Sequence, residues 1–355
     1  MKISDFSRYA LSACVAAALL SGCGGSQPPI GAPGAVPSSR ANILTQPAGR
    51  RSNHAWMNPL SSGQALLYVV NQIDQSVNVY TYPEGQLVGT LTGFIYPRGA
   101  CVDSAGDVFI VSAQNTASSA SVISEYAHGG ASPIATLSDP TRGVGCAVDQ
   151  KSGSLAVSGG YLYSGVYEYG DVAVFGGAAG NPTMYYSTTL EPFAMCGYDS
   201  KGNLYASAES SEYLDQYQLV RLPEGGRTFE QISLAQPLYG NVNFPSSVQW
   251  DGKNVTVSSS RNGRHSGNDK VSYLFRLSFS GSSATIVGTT TLRTAHQTRS
   301  GQIWIDGSDV VGSDYAKEHR GIDLWSYPRA RNPQSIVPNT ANLAPFGIAV
   351  SHVSQ

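Results

Sequence analysis

An all-β fold, a six-bladed β-propeller with four antiparallel strands per blade, is predicted by three observations in the sequence. A marker aspartate followed by a turn and an alternating apolar strand recurs at Asp103, Asp149, Asp199, Asp251 and Asp306. The period is about 45 to 55 residues, the length of a propeller blade. Gly (39), Pro (19) and Tyr (20) are plentiful among the 355 residues and only 13% are charged, a composition of turns and strands, and no helical period follows the first twenty or so residues. The chain ends also complement each other, the tail supplying one strand and the head three, which together make a sixth blade.

Each marker opens a hairpin. In GACVDSAGDVFIVSA (99–113) the aspartate ends one apolar strand, and Asp107 to Val111 begin the next with a period of two. GVGCAVDQKSGSLAVSGG (143–160), AMCGYDSKGNLYASA (194–208), FPSSVQWDGKNVTVSSS (244–260) and SGQIWIDGSDVVGSD (300–314) repeat the pattern. Two more strands follow every hairpin, as SVISEYA and PIATLSD follow the first. The head supplies ALLYVVN (65–71), SVNVYTYP (76–83) and QLVGTLTG (86–93), and the tail APFGIAVSHVSQ (344–355) places Ser351 at the marker position. Pairing tail with head removes the two exposed edges of an open array. The markers themselves need no ligand, because an aspartate before such a turn accepts hydrogen bonds from turn amides.

The N-terminus stands apart from this periodicity. Lys2 and Arg8 precede an apolar run from Tyr9 to Leu20, too short to span a bilayer as a permanent helix. Leu20-Ser21-Gly22-Cys23 follows and resembles the lipobox of bacterial prolipoproteins. That resemblance implies a signal peptide over residues 1–22, cleavage before Cys23, a diacylglyceryl group on its thiol and a further acyl chain such as palmitate on its amine. Several acyl chains hold a protein stably on a membrane. Gly24 after the cysteine resembles sorting to the outer membrane. Residues 23–62 are rich in Pro, Gly and Ser without periodicity and read as a disordered tether, leaving residues 63–355 for the propeller. The expected address is therefore the bacterial cell envelope.

Residues 65–355 resemble the NHL-repeat and senescence-marker/gluconolactonase-like class of six-bladed propellers through degenerate P-x-G-x-x-V-D-x-x-G-N-L-Y-V signals. Enzymes of that class hold a metal in the channel with acidic and Asn side chains from inner strands. Here the inner strands carry almost no acid before the markers, Glu191 being the exception, so neither metal nor cofactor is expected. No HExxH, GxSxG or phosphate-loop pattern is found. A hydrolase or lyase acting in the channel is the alternative reading, and it has to draw on His265, His319 or Glu191 for proton transfer. A formal charge of −2 sets up no field for nucleic acid.

The favoured expectation is a non-catalytic binding or scaffold protein, monomeric, held on the membrane by its lipid and facing an envelope protein or glycan. Its long loops (112–121, 158–171, 208–216, 259–271 and 312–321) share one end of the ring. They carry Tyr161, Tyr163, Tyr213, His265, Tyr315 and His319, and the strand entries at the same end add Tyr96, Arg98, Arg142, Phe193 and Phe346. Loops on a rigid scaffold are where binding usually resides, and tyrosine offers contact area at low entropy cost. Cys101 lies two residues before its marker, whereas Cys146 and Cys196 lie three before theirs. Strand alternation then lets Cys101 and Cys146 confront each other between adjacent sheets. Either a disulfide, where blades converge near the axis, or a pair of small buried hydrophobes fits there. Metal binding does not, without a Cys-x-x-Cys or paired-His spacing.

Overall fold

The computed structural model describes residues 54–353 except 116–119, 164–166, 189, 191, 209–217, 239–246, 261–271, 294–299, 315–319, 331–332 and 339–342. Their regular structure is almost entirely strand. The order begins with β1 (Trp56–Met57), a 3-10 turn (Pro59–Gly63), β2 (Leu66–Asn71), β3 (Ser76–Thr81) and β4 (Leu87–Leu91). Groups of four follow: β5 (Ala100–Val102), β6 (Val108–Ala113), β7 (Ser121–Tyr126), β8 (Ala135–Asp139); then β9 (Arg142–Val148), β10 (Leu155–Tyr163), β11 (Tyr167–Phe175), β12 (Thr183–Tyr186). The next are β13 (Phe193–Tyr198), β14 (Leu204–Ala208), β15 (Gln218–Leu222), β16 (Glu230–Leu234); then β17 (Val248–Trp250), β18 (Val255–Ser260), β19 (Ser272–Ser280), β20 (Ser283–Leu292). Last come β21 (Ser300–Asp306), β22 (Asp309–Asp314), β23 (Ile322–Ser326), β24 (Gln334–Val337) and the final strand β25 (Pro345–Ser351).

Hydrogen bonding gathers these strands into five sheets among the described residues. Three are simple four-stranded meanders, β5 to β8, β9 to β12 and β21 to β24. The fourth has eight strands in the order β13-β14-β15-β16-β20-β19-β18-β17, two antiparallel meanders joined at their outer strands. The join is a short parallel contact, Ser233 with Ser283 and Leu234 with Ala284. In the fifth, β1-β4-β3-β2-β25, the last strand of the chain pairs with β2 through Leu66↔Ser351 and Val69↔Ile348.

Alternation explains why each group needs neighbours on both sides. Every residue of β2 is buried: Leu66, Tyr68 and Val70 enter a core with Val108 and Ile110, while Leu67 and Val69 enter another with Val311, Ile322 and Ile348. The same sharing continues through Phe109 with Val157 and Phe175, Val172 with Phe193 and Leu204, Leu219 with Val257 and Phe275, and Leu274 with Ile303 and Val310. The first strand of each group lies against its counterparts, β5 with β9, β9 with β13, β13 with β17, β21 with β25 and β25 with β5. Side-chain amides staple these inner strands: Gln150 Nε2 donates to Val102 O at 3.0 Å, and Gln249 Oε1 accepts from Ile305 N at 2.7 Å.

The marker aspartates do the local work expected of them. Asp103 Oδ1 accepts from the amides of Ala105 and Asp107 at 2.9 Å, and Asp199 Oδ1 accepts from Lys201 N at 2.8 Å and Asn203 N at 3.0 Å. Gly106 and Gly202 supply the turns with φ of 86° and 85°, a region that favours glycine. Ser351 departs from the pattern, its hydroxyl donating to Gly106 O at 2.6 Å.

The tether expected over 23–62 is corrected at its C-terminal end, because strand structure begins well before residue 63. Trp56 pairs with Thr90 and Met57 with Gly89, so β1 covers the outer edge of β4 that would otherwise stand unpaired. Gly89 makes room for it, since a Cβ there would fall 1.9 Å from the Met57 sulfur. Asn58 caps the turn that follows, its Oδ1 accepting from Leu60 N at 3.1 Å. Cys23 and the signal region lie outside the described residues.

Candidate functional site

At the loop end, β10 and β11 run on past both of their partner strands. Their pairing extends from Leu155↔Phe175 to Tyr163↔Tyr167, whereas β9 stops opposite Gly160 and β12 opposite Asp171. The projecting pairs therefore carry Tyr161, Tyr163, Tyr167 and Tyr169. The Tyr161 ring packs 4.8 Å from Tyr186, edge to face, and 6.3 Å from Tyr169, and its hydroxyl donates to Ser187 O at 2.8 Å. Tyr186 is 50% exposed; burial of its hydroxyl, then the Asp171 and Asp139 carboxylates, push its pKa up. The prediction missed Tyr186 because it sits on a strand, not in a long loop.

The other predicted face residues divide. Tyr96 is 51% exposed with φ of 46°, and the Arg98 guanidinium donates from Nη1 to Gly143 O at 3.4 Å. Arg142 and Phe346 are half-buried. Phe193 is corrected from face to core: it is fully buried, edge-on to Phe229 at 5.1 Å, in the space that Gly170 leaves open. A bulge is responsible. The β13 pairing jumps from Phe193↔Ala208 to Cys196↔Ala206, so two residues three apart share one side of the sheet and one apolar cluster. The Tyr163 backbone is paired with Tyr167, but its side chain, like Tyr213, His265, Tyr315, His319 and Glu191, lies outside the described residues.

At the opposite end, where the inner strands run into the marker turns, they enclose a cavity of about 840 Å³. Trp250, Trp304 and Tyr198 line it from β17, β21 and β13, and Asp103, Asp149, Asp199 and Asp306 from the turns. None of Tyr96, Arg98, Arg142, Phe193 or Phe346 reaches it. Gln302 also lines it and is 4% exposed; its Oε1 accepts from Ala100 N and Ile348 N at 3.3 and 3.2 Å, and its Nε2 donates to Ala100 O at 2.8 Å. Cys101 and Cys146, also lining, are joined as a disulfide with Cα atoms 5.7 Å apart. Cys196 is a free thiol, pushed up to about 12 by burial. His352, on the rim, holds Asp306 at 2.9 Å. Beside the cavity, Asp103, Asp107 and Glu125 bring carboxylate oxygens within 4.8 Å of one another, but Asp103 Oδ1 is already committed to two turn amides.

No known family matches the chain, and no curated protein does. Solved structures are similar. A chain in the crystal structure of a nidogen/laminin complex matches with a TM-score of 0.56 at 11% identity, over 82% of this chain and 99% of that one. A protein of unknown function from Bacteroides caccae matches with a TM-score of 0.55 at 9% identity, over 81% and 99%. The shared fold is the β-propeller. Inner strands of a propeller surround its axis, so the cavity over Gln302 is the marker end of the propeller channel, and the tyrosines of β10 and β11 belong to the opposite rim.

Proposed function

We propose that this chain is a lipid-anchored binding or scaffold protein of the bacterial cell envelope, a six-bladed propeller presenting its long-loop end to a protein or glycan partner. The count of six is supported by treating the eight-stranded sheet as two blades bridged by two residue pairs, with an apolar cluster between each group of four and the next. Anchoring at Cys23 is supported by the tetrad Leu20-Ser21-Gly22-Cys23 that it closes. One observation carries the binding role: the β10–β11 extension holds tyrosine rings on a paired backbone, with Tyr186 half exposed against Tyr161. Rings ordered in advance lose little entropy when a partner arrives.

The test uses the full-length chain and envelope extract separated into protein and glycan fractions. A partner retained from one fraction is expected to be lost from the Tyr161→Ala/Tyr186→Ala double variant, which keeps the cores and the unfolding midpoint. Cys23→Ser is expected to move the chain from the membrane pellet to the supernatant. Undiminished retention by the double variant overturns the binding face, and unchanged sedimentation of Cys23→Ser overturns the anchor.

A further inference from the structure

The marker-end cavity is a separate pocket, and its chemistry differs from that of the loop end. We propose that it binds a linear organic cation, a chain of methylenes carrying primary ammonium groups. Its volume of about 840 Å³ falls within the range of small-molecule sites. Part of its wall is set, because the Gln302 amide is engaged by two neighbouring inner strands.

The walls favour positive charge and methylene together. Trp250, Trp304 and Tyr198 line the cavity from three successive inner strands, and aromatic faces attract ammonium groups while packing against apolar segments. Burial keeps the Tyr198 hydroxyl protonated well above its usual range. Around these rings stand Asp103, Asp149, Asp199 and Asp306, against one lining lysine, Lys151, and a histidine already bonded to Asp306. Most of this collar follows from the fold itself, since Asp103, Asp149 and Asp199 close successive inner strands and turn amides fix their carboxylates in place. Anions are repelled at such a mouth, and a neutral ligand gains nothing from the charge. The carboxylates come from different blades, so ammonium groups spaced along a chain can meet them while the methylenes between lie on the indoles.

The assignment does not rest on the partner proposed for the loop end. It is tested by titrating the purified full-length chain with spermidine, following tryptophan fluorescence and calorimetric heat. One spermidine per chain is expected, with affinity falling in molar salt. Lys151→Glu, an exposed change, is expected to tighten binding. Asp103→Asn, which keeps the Oδ1 acceptor and removes a charge close to Asp107 and Glu125, is expected to weaken it. The Asp103→Asn effect is about fivefold, that of one unit charge roughly 8 Å away at an effective dielectric near 40, and the two-unit change of Lys151→Glu is about 25-fold. Absence of saturable binding, affinity unchanged in both variants, insensitivity to salt, or an equal response to sorbitol overturns the proposal.

Discussion

Asp139 is an acid held inside the described core. It is 1% exposed, and only Thr141 is seen bonding it, through N at 2.9 Å and Oγ1 at 2.8 Å to Oδ1. Burial outweighs those bonds and raises its pKa from 3.8 to about 6. The folded state therefore holds a proton that the unfolded chain releases at lower pH. Stability from this group is present below about pH 4, is lost as pH rises towards 6, and its absence above 6 is a deficit on the order of 2–3 kcal/mol. Asp139→Asn keeps the Oδ1 acceptor, so it is expected to raise the unfolding free energy near neutral pH by that order and flatten the slope between about pH 4 and 6. Denaturant melts across that range check it; an unchanged slope sinks the assignment. At this scale the marker aspartates were legible because their bonds run to turn amides two to four residues away. Phe193 was not, because a bulge two or three residues downstream reverses the side it faces and no local residue type announces it. Trp250 and Trp304 pass in the sequence as ordinary strand residues, and only the ring brings them together.

Strand parity made one long-range contact readable. Cys101 and Cys146 sit at even and odd distances from their markers, and the structure joins them across the boundary between the β5 and β9 groups, 45 residues apart in sequence. They share a cluster with Phe109, Val111, Val157 and Phe175. Closing a loop of that length is worth about 2–4 kcal/mol. The Cys101→Ala/Cys146→Ala double variant is expected to lose that much in guanidinium unfolding, and an unshifted midpoint contradicts it. The covering strand β1 was hidden by the composition around it: residues Trp56 and Met57 stand alone in a Pro- and Ser-rich stretch, and pairing with β4 depends on a glycine some thirty residues away. The eight-stranded sheet was hidden as well, since a two-residue parallel contact leaves no period in the sequence.

The molecule as a whole depends on joining its ends. Ile348, Ala349 and Val350 are at most 3% exposed, and β25 seals the inner edge of β2. Burying one large aliphatic side chain contributes roughly 1.5–3 kcal/mol, and the ladder adds to it, so losing β25 approaches the entire margin of about 5–15 kcal/mol that holds a domain folded. A chain ending at residue 343 is expected to aggregate, whereas one ending at 351 keeps the pairing and stays soluble; size-exclusion profiles separate the two, and a soluble, cooperatively melting short form refutes the dependence. The blade period and the complementary ends were open to view because they repeat or match in the sequence, but which rim would hold a pocket was not, since that turns on how far side chains reach across the axis. Gln302 works along the wall, its amide tying β21 to β25 and β5. The cavity under the indoles takes in no residue of the β10–β11 extension, so the torus offers two back-to-back berths that can fill without competing.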